Sequence, residues 1–434
     1  MSLTKCFYRF LIRKRIEAAE RIVTELEGCK TRADKEAYQI KCFNSVWKSA
    51  RRNVPFYKDW GERYSLPDEI GSLDELEKWP VLTKADLRNL DAFKRSDVPE
   101  PKGRVLTGGS TGEPVRLPVW EDKYAGVSQM LGRKRYGVEP GDRTFLLWGH
   151  EHLYGTGFKR KINIFKRCFK DWLAGWTRFS AYDLGECAMK SAYEAFSQCR
   201  PEFVIGFSPA VLSFVRQNQH GSSKVKGIKT VLCTAGPLTD GEKQEIETFF
   251  GAPVSMEYGS VECGIMAYTR PSDGWTETCW NTHLLQAQRQ SDGEYKNLVT
   301  RLTDCYVPLI RYDIGDYLDM LDMERSVLLM RSIKGRPSEM LHFACGVTFF
   351  GALIGDCVKQ IPEVVSSQIA VDEERNVLEI RVTANEGLTS EAFATIKNRF
   401  ALTVADADRL DVRVIQVDKL YTTVGGKTPR VVRL

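Results

Sequence analysis

The chain has 434 residues and an apolar fraction of 43%, enough for two or more domains with a sizeable core. Its 62 basic and 57 acidic residues leave a net charge of +5, which suits anionic small substrates and is too small a surplus to argue for nucleic acid. No apolar run reaches the length of a membrane span, Arg9, Arg13, Lys14 and Arg15 break up any signal-peptide core, and the twelve cysteines lack disulfide-type spacing, so reduced thiols in the cytoplasm are expected.

Ile12, Ile16, Ala19, Val23 and Leu26 recur at spacings of four and three, which predicts an amphipathic helix ending near Gly28. Its other face carries Arg13, Glu17, Glu20 and Arg21. Such a basic start suits a membrane surface, although packing on the chain's own domain is the commoner use. A second helix is predicted from about Asp34 to Arg52, stopping before Pro55. Thr83 caps a short helix with Asp86 in its first turn. Val105-Leu106 and Val115 to Leu117 flank Thr107-Gly108-Gly109-Ser110-Thr111-Gly112, a strand–loop–strand whose glycines and hydroxyls can face a phosphate. An ordinary hairpin turn has the same composition. It is not a Walker loop, because Glu113 and Pro114 stand at the Lys and Ser/Thr positions.

Further along, Gln129 to Tyr136 reads as helix and Phe145 to Trp148 as a buried strand running into Gly149-His150. Phe203 to Gly206 and Thr230 to Cys233 are apolar runs before turns, with helical patterns between and after them. This alternation predicts an α/β domain with a mostly parallel sheet and a ligand site beyond the strands' carboxyl ends, where Phe207-Ser208 and Ala235-Gly236-Pro237 fall. The composition changes after Gly335-Arg336. Val377 to Val382, the stripe Phe393, Ile396 and Phe400, and Val412 to Val414 then read as a β–α–β tail of small-domain size.

Five stretches carry the chemistry. They are the Gly109–Gly112 loop, Glu257-Tyr258-Gly259-Ser260-Val261-Glu262, Pro308-Leu309-Ile310-Arg311-Tyr312-Asp313-Ile314-Gly315-Asp316, Gly335-Arg336-Pro337-Ser338-Glu339 and Gly425-Gly426-Lys427-Thr428. Each alone has a structural reading as a turn, a cap or a surface charge. In this order, they resemble the adenylate-forming superfamily, within it the phenylacetate–CoA ligase and CapK-like branch. Val54-Pro55-Phe56-Tyr57 and Leu82-Thr83-Lys84-Ala85-Asp86-Leu87-Arg88 also resemble that branch. The resemblance runs from about Val54 to the end.

The resemblance implies a large multi-layer α/β domain over residues 1–335, with 1–53 as a helical extension. A small mobile α+β domain over 336–434 would carry Lys427, with a hinge at Glu339. It implies ATP and Mg²⁺, with CoA as an acyl acceptor and a carboxylic acid as substrate. Gly109, Ser110, Thr111 and Gly112 would cradle phosphates, Glu262 would hold Mg²⁺ with Ser260 and Gly259 beside it, and Asp316 would take the ribose hydroxyls. Arg336 would reach ribose or phosphate, Tyr258, Ala235, Gly236 and Pro237 would border adenine, and Lys427 would bridge carboxylate and α-phosphate. His150, Tyr154, Phe207 and Ser208 would line the acid pocket. Relatives often have Lys at the position of Glu113, Ser or Thr at that of Gly108, and Asp at that of Glu339, so a degenerate nucleotide binder is one alternative. Transfer to an amine or hydroxyl, as CapK suggests, is another, and a scaffold recruited to a membrane through residues 1–28 is a third. Homodimers are common in the superfamily. Cys263, Cys279, His283 and Cys305 form a minor zinc candidate set, against separate buried thiols.

Overall fold

The computed structural model describes the chain except residues 1–2, 107–114, 119–124, 150–156, 182–183, 219–224, 237, 292, 323–327, 335–339, 352, 359–360, 362, 385–386, 405 and 422–430. The predicted N-terminal helices form at Arg13–Glu27 and Arg32–Asn53, preceded by a further helix at Leu3–Leu11. Thr31 starts the long helix with a capping box, its hydroxyl accepting from Asp34 N while the Asp34 carboxylate accepts from Thr31 N at 2.8 Å. Pro55 does more than end that helix. It opens the next, Pro55–Arg63, as the first helical residue, where its missing N–H costs nothing.

Among the described residues, one sheet has eleven strands. Trp176–Phe179, Thr144–Leu147, Phe203–Phe207, Thr230–Thr234 and Val254–Ser260 lie side by side in that order and run parallel. All five are joined by helices, as the strand–helix alternation predicts. Phe145, Leu147, Val204 and Val231 are buried against Phe196, Phe214 and Phe250 from those helices. The sheet is not mostly parallel, however. From Val254–Ser260 onward every pairing is antiparallel, through Gly264–Thr269, Thr276–Thr278, Leu329–Lys334, Tyr312–Asp322, Tyr295–Arg301 and His283–Arg289. These strands have one face on a core and one partly solvated, and their mixed polar pattern lacks the short apolar runs that mark a parallel strand.

The antiparallel part packs on an aromatic core from the N-terminal helices, with Phe43, Trp47, Tyr57, Trp79 and Phe93 buried against Leu309, Ile310 and Tyr312. Arg104–Leu106 and Arg116–Pro118 form the antiparallel hairpin expected around the glycine-rich loop. Toward the C-terminus, a four-stranded sheet orders Asp411–Gln416, Val377–Ala384, Val364–Asp372 and Val431–Arg433, richer than a β–α–β unit. Its core joins Ile369, Leu378 and Ile380 to Ile396 and Phe400 of the helix Ser390–Thr403. No helix among the described residues is long and apolar enough to cross a membrane.

Candidate active site

The strand Val254–Ser260 is where the parallel and antiparallel halves of the sheet meet. It delivers Tyr258, Gly259 and Ser260 to its carboxyl end, and the turn that follows holds Glu262. Gly259 is required there. A Cβ at this position would lie 2.6 Å from the Gly264 carbonyl oxygen of the returning strand, and a backbone atom cannot yield. The Ser260 hydroxyl accepts from Cys263 N at 3.0 Å and so closes the turn that presents Glu262. Tyr312, buried in the core, donates its hydroxyl to Glu262 Oε1 at 3.1 Å. Glu262 is half-buried.

Asp316 arrives by a bulge. Lys296 pairs with Tyr317 and Leu298 with Asp313, so Ile314, Gly315 and Asp316 lie opposite Asn297 alone. Gly315 has φ +83°, a conformation that glycine takes without strain, and its N–H bonds Asp313 Oδ1 at 3.0 Å. Asp313 is held in turn by Lys296 at 2.9 Å. A bulge of this kind bends the strand and re-aims a side chain. Here it brings Asp316 to Tyr258, whose hydroxyl donates to Asp316 Oδ2 at 2.8 Å while accepting from Asn297 Nδ2 at 3.0 Å. Burial, and then the Asp316 carboxylate, push the Tyr258 hydroxyl well above its ordinary range, so it stays protonated and donates.

Two other quoted motifs brace this arrangement. Tyr57 donates its hydroxyl to the Pro308 carbonyl at 2.6 Å. Leu82 N bonds the Arg311 carbonyl at 3.1 Å and Asp313 N bonds the Leu82 carbonyl at 2.8 Å. The Val54–Tyr57 and Leu82–Arg88 stretches thus fix the segment that ends in Asp316. Thr83 accepts from Asp86 N at 3.3 Å, but Ala85 and not Thr83 stands at the N-cap of the short helix Asp86–Arg88.

Across the sheet, Ala235 has φ +64°, unusual for a residue with a side chain and a feature that clusters at ligand sites. The buried Ser208 hydroxyl lies 2.6 Å from the Gly236 carbonyl and 3.1 Å from that of Thr234. Ser208 therefore supports the Ala235-Gly236 loop with a hydroxyl that is already engaged. Phe207, half-buried at the carboxyl end of its strand, packs on Trp148 with ring centroids 4.9 Å apart. Gly109, Ser110, Thr111, Gly112, His150, Tyr154, Pro237, Arg336, Glu339 and Lys427 lie outside the described residues.

The zinc set does not assemble. His283 uses Nε2 on the Cys263 carbonyl at 2.8 Å and Nδ1 on Thr282 Oγ1 at 3.0 Å. Cys305 donates to the Val307 carbonyl at 3.1 Å. Burial pushes the Cys279 thiol up to about 12. Burial, and then the Glu262 carboxylate, push the Cys263 thiol up as well. No group of three or more His, Cys, Asp or Glu among the described residues is arranged to hold a metal. That does not count against magnesium, which commonly takes one or two carboxylates and completes its shell with phosphate oxygens and water. Glu262, half-buried with one oxygen on Tyr312, fits that use.

Asn297 and Tyr312 are the residues that sequence reasoning left without a role. Asn297 is fully buried and its Oδ1 has no partner among the described residues. It sits in an unremarkable Tyr295–Arg301 strand and carries no motif signal. Tyr312 belongs to a quoted motif, and its pairing with Glu262 spans fifty residues.

No protein-family model matches the chain. Among curated proteins it is similar to Protein CapK of Staphylococcus aureus, 21% identical over 405 residues that cover 90% of this chain and 87% of that protein. It is also similar to phenylacetate-coenzyme A ligase of Escherichia coli strain K12, 24% identical over 343 residues covering 73% of this chain and 75% of that protein. Among solved structures, 2-hydroxyisobutyryl-CoA ligase in complex with 2-HIB-AMP and CoA in the thioesterification state has a TM-score of 0.58 at 18% identity, covering 93% of this chain and 91% of that chain. That likeness shows a shared fold. Both curated relatives match over most of the chain, so the chain is similar to phenylacetate–CoA ligase and CapK, of the adenylate-forming superfamily.

Proposed function

We propose that the protein is an ATP-dependent, AMP-forming acid ligase that adenylates a carboxylic acid and passes the acyl group to CoA. The observation that carries this reading is the pair of half-buried carboxylates, Asp316 on Tyr258 and Glu262 on Tyr312, aimed by two aromatic hydroxyls at the carboxyl end of one strand. In the first half-reaction a substrate carboxylate oxygen bonds the α-phosphorus of ATP and the bond to the pyrophosphate oxygen breaks. Two anions must be brought together in line, so charge has to be neutralised and both groups held.

On this reading, Asp316 accepts the ribose hydroxyls and Tyr258 fixes the carboxylate that does so. Gly109, Ser110, Thr111 and Gly112 hold the terminal phosphates with backbone N–H groups and hydroxyls. Glu262 holds magnesium, which when bound supplies charge neutralisation at the phosphates. Arg336 reaches ribose or phosphate. Ala235, Gly236 and Pro237 border the base. Lys427 donates to the charge that develops at the α-phosphate, an interaction whose loss typically costs about 3 kcal/mol. His150, Tyr154 and Phe207 border the acid. In the second half-reaction the CoA sulfur attacks the acyl carbon and AMP leaves.

The chain divides, on this proposal, into residues 1–335 and 336–434, and the separate core of the four-stranded sheet supports that division. Closure of the second unit about Glu339 would bring Lys427 to the site. We place the enzyme in the cytoplasm and leave dimerisation as an outcome of sedimentation. A second reading has an amine or hydroxyl acceptor in place of CoA. The match to CapK spans more of the chain than the match to phenylacetate-coenzyme A ligase, and that favours keeping it.

Mass spectrometry of mixtures with ATP and a panel of aryl, fatty and sugar acids, with and without CoA, tests both readings. Acyl-adenylate that converts to acyl-CoA supports the first. Acyl-adenylate that CoA leaves untouched, but an amine or alcohol consumes, supports the second. ATP binding with no adenylate from any acid would contradict both in favour of a degenerate binder.

A further inference from the structure

The helix Gly157–Ala174 has two opposed faces. Its inner face is fastened to the sheet by Asp171, which is buried and accepts from Arg178 Nε at 2.8 Å and Nη2 at 3.1 Å, with Arg167 at 3.3 Å. Ile162, Phe165, Phe169 and Trp172 recur at spacings of three, four and three, so they form one stripe. That stripe faces solvent, with Phe165 74% and Trp172 60% exposed. Exposed lysines border it, Lys161 on one side and Lys166 and Lys170 on the other.

The helix Leu3–Leu11 packs beside it and repeats the arrangement. Lys5 bonds Asp142 at 2.5 Å and Arg9 bonds Glu139 at 2.9 Å, which turns one face to the protein body. Phe7, Phe10 and Leu11 fall on the other face and are exposed, with Phe10 62% exposed. Arg13, Lys14 and Arg15 follow at once, all exposed. Monomeric proteins seldom leave seven large apolar side chains on two adjoining helices uncovered without a partner.

We propose that these two helices are a docking surface for an anionic lipid bilayer, lying in the plane of the interface. The charge pattern selects this occupant. The sequence of Gly157–Ala174 holds Lys159, Arg160, Lys161, Lys166, Arg167 and Lys170 against one acidic residue, Asp171, which is turned inward. Aromatic side chains that enter the acyl boundary, flanked by lysines at headgroup level, are the interfacial pattern. A second copy of the chain would bring the same lysines face to face. The surface thus depends on the Gly157–Ala174 helix as much as on the basic N-terminus.

The test is co-sedimentation of the full chain with vesicles of phosphatidylcholine alone and of phosphatidylcholine with phosphatidylglycerol, at low and high salt. The proposal expects binding to the anionic vesicles that salt weakens. It expects a loss of about tenfold or more in Phe165→Ser/Trp172→Ser and in Lys166→Glu/Lys170→Glu, with unchanged thermal transitions. Phe165→Ala alone, a milder change on the same exposed stripe, keeps the test decisive if the double variant misfolds, and should weaken binding in the same direction. Absence of vesicle binding would overturn the proposal. So would concentration-dependent self-association that the Phe165→Ser/Trp172→Ser variant abolishes in a protein that ignores vesicles.

Discussion

The Tyr258 hydroxyl lies 2.8 Å from Asp316 Oδ2 and joins the strand Val254–Ser260 to the bulge that carries the aspartate. Asn297 Nδ2 donates to the tyrosine hydroxyl oxygen at 3.0 Å, so the tyrosine both gives and takes a bond in a buried setting. Tyr258→Phe leaves Asp316 without this donor and Asn297 without this acceptor. Weaker nucleotide use should follow, with KM for ATP rising about tenfold and stability falling by about 1–3 kcal/mol. Asp316→Ala should reduce kcat/KM for ATP by about a hundredfold or more while KM for the acid changes little. Burial raises the Tyr258 pKa, so its contribution to stability is complete below the unfolded value near 10 and is lost as pH rises beyond it. The effect of Tyr258→Phe should therefore be flat from about pH 6 to about pH 9 in a steady-state pH series.

Glu257, the neighbour of Tyr258, points the other way into the protein. It is buried, accepts from the Tyr268 hydroxyl at 2.9 Å and lies 4.0 Å from Arg133. Burial raises its pKa above the ordinary carboxylate value, with Arg133 and Tyr268 opposing. A raised folded pKa contributes stability that is complete below about 4.5 and is lost as pH rises through the folded value. Glu257→Gln keeps an acceptor for Tyr268 and carries no charge to bury. It should be the more stable protein at neutral pH, by on the order of 1 kcal/mol, and the difference should shrink as pH falls toward 4.5 in urea titrations.

Tyr57→Phe tests the brace beneath the site. The hydroxyl's bond to the Pro308 carbonyl is buried, so its loss orphans a backbone acceptor. A cost of about 1–3 kcal/mol is expected, read as a lower midpoint in denaturant at unchanged slope.

Gly259→Ala should cost about 1–3 kcal/mol and lower adenylation, because its Cβ meets the Gly264 carbonyl at 2.6 Å and displaces the turn that presents Glu262. Gly241→Ala is the control. Among the described residues, no atom beyond its chain neighbours and its own turns of the helix Asp240–Phe250 lies within 4 Å of a Cβ added there, and the change should be neutral to stabilising by up to about 1 kcal/mol.

Which parts of this structure could be read from the sequence follows from the range of the interactions. Phe203–Phe207 and Thr230–Thr234 are buried on both faces, so they appear as unbroken apolar runs. Thr31 and Asp34 announce a helix start three residues apart. The antiparallel strands after Val254–Ser260 give no comparable signal, and the parallel expectation failed there. Tyr258, Ser260, Glu262 and Asp316 were named from ordered motifs, while Asn297 was not, because its place opposite Asp316 depends on a register shift between two strands. The bonds Tyr57 to Pro308 and Tyr312 to Glu262 link motifs that were recognised separately, with no local pattern to say that they touch.

On the proposed function, the carboxylates of Asp316 and Glu262 serve acid adenylation. Acid-dependent exchange of labelled pyrophosphate into ATP measures it directly, with Asp316→Ala and Lys427→Ala alongside the unaltered protein. Exchange should require one class of acid and fall by about two decades or more in each variant. Exchange that ignores the acid, or that survives both substitutions undiminished, would contradict that role.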